Sequence, residues 1–590
     1  MARLGYEEVG HHHSGGGPLS INAGQALAQV LVDELVRSGM TDACLAPGSR
    51  STPLVLALSG RPELRLHVSI DERSCAFLAL GIAKEQGRPV GVVTTSGTAT
   101  ANLYPAVIEA HHSAVPLILL TADRPPEARD TGAGQTIDQI KLYGGAVRWF
   151  VEVGPAEDRA ESVPYWRSIS ARAYQVSAGP HPGPVHLNLA FRKPFVGTAG
   201  SDAFSHDLAG RADGKPWVAA SPATELVTEE ELLRLKDDFE GEERGIIVAG
   251  TGDLDPEPVL SLARSLQWPV LAEATSNARA RFPAISAYDA LLRHKEFAAS
   301  HRPELVLRLG NLGTSQALDD MLGPSVRQIA VAPQGRWLDP RRAISWVIRS
   351  SPERICRVLA QLVTPKRETA WLGSWAEAER VARTVIDRTL DEHEEVTEPR
   401  VARDLAEAVP DGGALVVSSS MPIRDLDWFM RPREGISIHA NRGANGIDGF
   451  VSTTLGVAIG HSGPTFALCG DLALLHDQNG LLTSPDGSVD AVFVVLNNNG
   501  GGIFSFLPES AERHFERLFA TPHNRDLSLV AQAHRCGYRL LDKAAELQDA
   551  MMEAAEAGGV QILEARTERS SNVRIHREVW GAVRDALGGE

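Results

Sequence analysis

The chain has few cysteines, and the five present, Cys44, Cys75, Cys356, Cys469 and Cys536, are scattered without a CxxC pair. That spacing excludes a disulfide framework and a structural zinc site, so the thiols read as buried small apolar side chains. Uninterrupted apolar sequence is also short: nothing approaches the roughly 18 residues of a membrane span, and none is expected. Positive charge is in deficit, with 58 Lys and Arg against 75 Asp and Glu, a net −17. Nucleic acid is therefore disfavoured as a partner, while local basic pockets for small anions remain open. The opening MARLGYEEVGHHHSGGGPLS has neither the basic segment nor the apolar core of a secretory leader. A cytoplasmic address is expected, and the three histidines and their glycines are assigned no role.

What is present is a repeated strand and helix rhythm. At 590 residues one hydrophobic core would be too large, and three or four domains of about 150 residues are expected. ACLAPGS, TPLVLALSG, LRLHVSI, ERSCAFLALGIAKEQG, PVGVVTTSG, ANLYPAVIEAHHSA and VPLILLTA alternate apolar runs with amphipathic stretches, closing near GPVHLNLAFRKPF. RGIIVAGTG, WPVLAEATS, ELVLRLGN and RQIAVAP resume the rhythm. After the charged, helix-prone stretch Glu377–Glu398 come ALVVSSS, GISIHAN, TFALCGD, AVFVVLNN and VQILEAR. The fold class expected is α/β, with three doubly wound parallel-sheet domains in series. Their spans are 1–196, 229–376 and 399–590, joined by a polar linker 197–228 and a helical linker 377–398. The first and third blocks are candidates for a shared architecture without shared sequence.

Chemistry concentrates in CGDLALLHDQNGLLTSPDGSVDAVFVVLNNNGGGIF, Cys469 to Phe504. Asp471 ends one apolar run, HDQNGLLTS reads as a helix start, and Asn498 follows the next run. Their separation is close to the roughly 30 residues of a βαβ unit, which brings both side chains to the carboxyl ends of parallel strands, where open α/β sheets bind ligands. One carboxylate, one amide oxygen and a backbone carbonyl suit Mg²⁺, whose other positions go to water and phosphate oxygens. Three successive glycines let the backbone approach such a ligand. The plainer reading is a polar turn that ends a strand.

GD at 470–471 with NN at 497–498 resembles the thiamine diphosphate and Mg²⁺ signature of the thiamine-dependent decarboxylase superfamily. The resemblance implies a thiamine diphosphate-binding fold, with an N-terminal pyrimidine-binding domain, a central domain and a C-terminal diphosphate-binding domain. It implies Asp471, Asn498 and the Gly500 carbonyl as metal ligands, for Mg²⁺ or in its place Mn²⁺. It implies Glu72 as the activating glutamate. A carboxyl against N1′ of the aminopyrimidine favours the imino tautomer, whose 4′-nitrogen deprotonates thiazolium C2. Otherwise Glu72 is simply an acidic residue favourable in a helix's first turn. Ile503 and Phe504 would flank the reacting end of the cofactor, or else pack in the core. A homodimer or dimer of dimers is implied, with Glu72 of one subunit facing Asp471 and Asn498 of the other.

Five stretches, APGSRSTPL, TTSGTATANLYPAVIEA, LTADRPPEARDTGAGQTIDQ, NRGANGIDGFVST and LNNNGGGIFSFLP, resemble one branch of that superfamily. It is the 2-succinyl-5-enolpyruvyl-6-hydroxy-3-cyclohexene-1-carboxylate synthase family of menaquinone biosynthesis. That resemblance implies decarboxylation of 2-oxoglutarate and conjugate addition of the four-carbon carbanion to isochorismate. Both substrates carry carboxylates, which arginine holds bidentately. The residues matching its motifs are Ser49, Arg50, Gln135, Ser420, Arg424 and Arg442. Plainer roles exist: Ser49 as a helix N-cap, Arg50 on a helix surface, Arg424 paired with Asp425 or Asp427. His111 and His112 are read as structural, since helix neighbours do not share a face. One departure is Gln316, where the family tends to place a basic residue; Arg308, Arg341 and Arg342 are candidates to compensate.

Three other readings compete. An acetolactate synthase or pyruvate oxidase relative would act on pyruvate and need no second carboxylate contact. A nucleotide-dependent oxidoreductase built on VAGTGDLD lacks the third glycine of the fingerprint, which is Asp255 here. A catalytically dead scaffold is disfavoured by intact Glu72, Asp471 and Asn498.

Overall fold

The computed structural model describes residues 20–197, 203–221, 227–333, 337–483 and 489–588, so the histidine-rich arm lies outside the described residues. Its strands form three six-stranded sheets. The first contains β1 (Asp42–Leu45), β2 (Arg65–Val68), β3 (Val90–Thr94), β4 (Leu117–Asp123), β5 (Trp149–Val153) and β6 (Pro184–Ala190), in the order β2-β1-β3-β4-β6-β5. The second contains β7 (Gly245–Ala249), β8 (Val270–Ala272), β9 (Ala284–Ile285), β10 (Leu305–Leu309), β11 (Arg327–Val331) and β12 (Ile344–Ile348), ordered β12-β11-β10-β7-β8-β9. The third contains β13 (Gly413–Val417), β14 (Ile436–His439), β15 (Thr465–Gly470), β16 (Ala491–Asn497), β17 (Gly537–Leu541) and β18 (Val560–Arg566), ordered β14-β13-β15-β16-β18-β17. Every strand pairing is parallel. Three doubly wound α/β sheets in series are therefore observed, and the first and third share one strand order.

Inner strands such as β3, β4 and β6 are buried at every residue. Helices on both faces explain this, and the runs are continuously apolar rather than alternating. Two details differ from the sequence reading. The charged stretch at 377–398 resolves into one helix, Ala370–Asp391, and the start of another, Glu398–Ala408. HDQNGLLTS does not open a helix: an α-helix begins at Asp471 itself and runs to His476, and 478–483 is a 3-10 turn. Gly470 supplies the extended N-cap, so the chain turns directly from β15 into helix.

The two outer domains share a core. The helix Glu72–Gln86 of the first domain crosses the helix Phe450–Gly460 of the third, and Phe77, Leu80, Leu455 and Phe493 belong to one buried cluster. Each such large side chain contributes about 1.5–3 kcal/mol by leaving water. The crossing is closest at two glycines. A Cβ on Gly81 would sit 2.1 Å from the Thr453 carbonyl oxygen, and one on Gly456 would sit 2.2 Å from that of Leu78. The central domain keeps its own core around Leu262, Trp268 and Leu307. A further cluster joins Trp375 of the Ala370–Asp391 helix to Trp428 and Phe429 of the third domain and to Ile575 and Val579 of the helix Arg569–Ala586. Among the described residues no helix is long and apolar enough to cross a membrane. Four cysteines are buried and Cys536 is half-buried; all five are free, as their spacing implied.

Candidate active site

The third sheet reverses its winding between β13 and β15, and open α/β sheets bind ligands at the carboxyl ends of strands at such a reversal. Gly470 pairs with Leu496 across β15 and β16, which brings Asp471 and Asn498 out beside each other. Asp471 is 1% exposed. Its Oδ1 accepts from the Leu472 N–H at 2.6 Å, and its Oδ2 accepts from the Gly500 N–H at 2.9 Å and from His523 Nε2 at 3.0 Å. His523 Nδ1 accepts from the Arg525 N–H at 2.9 Å, which leaves the ring proton on Nε2 facing Asp471. Burial raises the Asp471 carboxyl above its ordinary range, opposed by His523 and the Gly500 N–H. Asn498 donates from Nδ2 to Glu398 Oε1 at 2.9 Å, while its Oδ1 is buried with no partner. Burial, then the charge of Asp425, pushes the Glu398 carboxyl up to about 7.

An unpartnered buried oxygen is costly unless something fills the space before it. Asn498 follows the strand next to the one that ends just before Asp471, whose carboxylate holds the Gly500 N–H, and a carboxylate with an amide oxygen suits a hard divalent cation such as Mg²⁺. The Gly500 carbonyl, the third expected ligand, accepts from the Gly502 N–H at 3.0 Å and keeps one lone pair. The three glycines serve the chain itself as well as any ligand. A Cβ at Gly500, whose φ is 141°, would lie 2.1 Å from the Ala520 carbonyl oxygen; at Gly501, 2.8 Å from Phe504 Cδ2; at Gly502, 2.5 Å from Asn498 Nδ2. Ile503 and Phe504 follow in a 3-10 turn, both half-buried. Ile503 packs on the cluster that joins the central and third domains, and Phe504 meets the Phe519 ring at 5.9 Å.

Glu72 opens its helix directly after β2, and Asp71 caps that helix by accepting from the Arg73 and Ser74 N–H groups. Asp71 also accepts from Asn479 Nδ2 at 3.0 Å, and Arg73 donates to the His476 carbonyl at 3.0 Å. The start of this helix is thereby tied to the segment after Asp471. Val68 and Ile70, just before Glu72, are 53% and 72% exposed, an apolar edge beside the acidic residue.

The expected anion-binding residues form two groups. Arg50 is 7% exposed; its Nη1 donates to the Phe191 carbonyl at 2.6 Å, and its guanidinium lies 4.7 Å above the Phe195 ring. Arg50 and Gln135 line one cavity of about 560 Å³ together with Arg124, Arg192 and Lys193. Gln135 holds a left-handed backbone, φ 52°, and its carbonyl accepts from Ser96 Oγ at 2.9 Å. Ser49 is exposed at the same loop; the N-cap position of the following helix is held by Ser51, without a side-chain capping bond, so Ser49 is not the N-cap. Arg124 was not singled out from the sequence, although it sits in ADRPPE, inside a stretch that yielded only Gln135.

The second group gathers at the ends of β13 and β14. Ser420 takes φ 78° and ψ −133°, a region that disfavours every residue but glycine, and such strain clusters at functional sites. Its carbonyl accepts from Arg424 Nη1 at 2.7 Å. Arg442 Nη1 donates to Ser419 Oγ at 3.4 Å. Burial first, and then the neighbouring Arg442, lowers the Arg424 guanidinium below its ordinary range. Two cations held near each other are suited to an anion between them. The surface pairing considered for Arg424 does not occur: Asp425 is buried against His576, and Asp427 against Arg279 and Tyr288. Sequence reasoning also missed Glu109. From the first domain its carboxylate accepts from the Gly443, Ala444 and Asn445 N–H groups at 2.9, 2.7 and 2.9 Å. It thereby fixes the loop that carries Arg442.

Arg442 lines a cavity with Lys84 and Asn277, separate from that of Arg50 and Gln135. Arg442 and Arg50 thus line different cavities of one chain. Gln316 hydrogen-bonds Asp320 and lines a third cavity with Arg293 and Lys295. Arg308 is buried in β10 and donates to the Leu338 carbonyl, and Arg341 pairs with Asp319 and Asp320. Arg148 donates to His111 Nδ1 at 2.9 Å, within the first domain.

Three family models match the chain in order. They are a thiamine pyrophosphate enzyme N-terminal TPP binding domain over residues 25–142, a middle domain of thiamine pyrophosphate enzymes over 210–417, and a thiamine pyrophosphate enzyme C-terminal TPP binding domain over 419–565. Among curated proteins, the chain is similar to the 2-succinyl-5-enolpyruvyl-6-hydroxy-3-cyclohexene-1-carboxylate synthase of Thermobifida fusca (strain YX). The two are 48% identical over 573 residues, covering 96% of this chain and 100% of the relative. The synthases of the same name from Chloroflexus aurantiacus and Geobacillus kaustophilus are 42% and 41% identical, each over 94% of this chain and over 96% and 97% of the relative.

Proposed function

Since the chain belongs to the 2-succinyl-5-enolpyruvyl-6-hydroxy-3-cyclohexene-1-carboxylate synthases, a branch of the thiamine pyrophosphate enzymes, we propose the following reaction and division of labour. The protein is a thiamine diphosphate-dependent transferase of menaquinone biosynthesis that decarboxylates 2-oxoglutarate and adds the four-carbon remainder to isochorismate. Its near full-length likeness to those synthases carries this reading, and it sets aside the pyruvate-using alternative. Thiamine diphosphate would supply, when bound, a nucleophilic C2 that adds to the oxoacid carbonyl and a thiazolium ring that delocalises the electron pair left by departing CO₂.

The chain's own residues supply position and charge. Asp471, Asn498 Oδ1 and the Gly500 carbonyl hold Mg²⁺, which neutralises the diphosphate; the unpartnered Asn498 oxygen supports this assignment. Glu72 keeps a proton at N1′ of the aminopyrimidine. Ile503 and Phe504 exclude water from the reacting end. Arg424 and Arg442, with Ser420 beside them, receive one substrate carboxylate, and Arg50 and Gln135, with Ser49, receive carboxylates of the other. The site is completed in a homodimer, where the first domain of one subunit faces the third domain of the other. The exposed Val68 and Ile70 beside Glu72 and the separation of the two cationic groups support that arrangement. A cytoplasmic location belongs to the same proposal.

The experiment is product analysis by mass spectrometry with purified protein, thiamine diphosphate, Mg²⁺, 2-oxoglutarate and fresh isochorismate, leaving out each component in turn. The succinyl adduct and CO₂ are expected only from the complete mixture. Release of CO₂ from pyruvate with no adduct would overturn the substrate assignment.

A further inference from the structure

An asparagine can ligate a cation only through its oxygen, and which end of the amide is the oxygen end is decided by what the other end meets. We propose that Glu398 is a positioning residue that turns the Asn498 amide so that Oδ1, not the NH₂ group, faces the metal. This rests on the metal reading of Asp471 and Asn498 above.

Glu398 is 1% exposed and lies 100 residues before Asn498. When ionised, its carboxyl group can only accept, and three donors meet it. Oε1 receives Asn498 Nδ2 at 2.9 Å and Thr567 Oγ1 at 2.9 Å, and Oε2 receives Asn572 Nδ2 at 2.8 Å. An acceptor-only partner fixes the NH₂ end of Asn498 toward itself, so Oδ1 points the other way, where it is buried and unpartnered. Without Glu398 the amide could turn over and aim two N–H groups at a divalent cation. The clamp is itself braced. The Asn572 carbonyl lies 2.8 Å from His576 Nδ1, and His576 Nε2 is 2.7 Å from Asp425 Oδ1 on the Met421–Phe429 helix that carries Arg424.

A reciprocal exchange tests the pairing. In the wild-type background Glu398→Gln can keep Oε1 toward Asn498 and Thr567 and turn Nε2 to Asn572, whose unpartnered Oδ1 can accept after its own amide turns. In an Asn498→Asp background two acceptors face each other until Glu398→Gln reverses its amide, donates to the new carboxylate and still accepts from Asn572. Mn²⁺ affinity is measured on the full chain with saturating thiamine diphosphate, from the electron paramagnetic resonance signal of the free ion. Melting temperatures without metal or cofactor check folding.

Glu398→Gln is expected to change Mn²⁺ affinity less than about threefold in the wild-type background and to tighten it about fivefold or more in the Asn498→Asp background. Glu398→Ala is expected to weaken it about tenfold or more. Equal effects of Glu398→Gln in both backgrounds, or undiminished affinity in a folded Glu398→Ala variant, would overturn the role of Glu398 while leaving the metal reading in place. If Glu398→Ala does not fold, the exchange alone decides. A wild-type protein that binds no Mn²⁺ with thiamine diphosphate present would overturn both.

Discussion

The first and third sheets have the same strand order, yet the polar atoms at equivalent strand ends are spent differently. At the winding reversal the first sheet presents Ser49 and Arg50 after β1, and the third presents Ser419 and Ser420 after β13; each loop leads into a helix with proline in its first turn. After the fourth strand the contrast sharpens. Asp123, ending β4, accepts from Asn188 Nδ2 at 2.8 Å and Arg129 Nη2 at 2.9 Å, so its carboxylate is occupied within its own domain. Asn498, just after β16, keeps an oxygen with no protein partner. Both copies thus carry arginines near the winding reversal, but after the fourth strand the first spends its carboxylate on protein donors and the third leaves the Asn498 oxygen unpartnered. Strand order sets where a ligand can sit, and unspent donors and acceptors set which ligand it is.

Five substitutions test this contrast. The largest effect is expected at Glu72, the acid that the first domain contributes: Glu72→Gln should lower kcat about 10²–10⁴-fold while cofactor affinity stays put, because proton transfer is lost and the metal site is untouched. Hydrogen exchange at thiazolium C2 is the readout. Next, Asp471→Ala should weaken Mg²⁺ and thiamine diphosphate together, about a hundredfold, whereas Asp123→Ala should leave both unchanged and cost stability alone. Titration of the two variants side by side would erase the contrast if they behaved alike.

The seam between the two copies comes third. Gly456→Val forces a side chain against the Leu78 carbonyl and should cost about 3 kcal/mol in denaturant unfolding. The smallest effect is at Glu85, which meets His461 Nδ1 at 2.8 Å and approaches His439 Nε2 at 2.9 Å without full hydrogen-bond alignment. Burial alone would raise this carboxyl, but the two histidines outweigh burial and hold it at about 2. A carboxyl depressed in the folded state adds stability that is complete above about pH 4.3 and is lost as pH falls toward about 2. Glu85→Gln should therefore cost on the order of 1 kcal/mol at pH 6, allowing for solvent screening. The wild-type and variant stability curves should converge between about pH 4 and 2.

Much of the fold was legible because inner parallel strands are buried on both faces and read as continuous apolar runs. The strands not foreseen, β5, β9, β12 and β17, all lie at sheet edges. Three of them are half-buried along most of their length, with patterns such as the WFVEV of β5 and the GYRLL of β17, and β9 has only two residues. Half-burial dilutes the apolar signal to that of a loop. At the site, Asp471 and Asn498 were visible because one βαβ unit holds both and its length is a local property. Glu398, His523, Glu109 and Arg124 carried no such local signal. Glu398 reaches Asn498 across 100 positions, and Glu109 grips a loop 334 to 336 positions away. Only the packed chain brings these partners together. Ser420 looked like any serine, since its strained backbone is imposed by the turn from β13 into helix.

Among the elements around the Asn498 amide, the Arg569–Ala586 helix comes last in the chain. A nascent chain that has passed Asn498 already carries both proposed oxygen ligands, yet it lacks Thr567 and Asn572, two of the three groups that meet Glu398. Glu398 and Asp425, two acids buried in the finished protein, have no His576 between them and the solvent during that interval. On the proposed metal reading, a chain that stops short of Thr567 is expected to hold an Asn498 amide whose partner, Glu398, has lost two of its three donors.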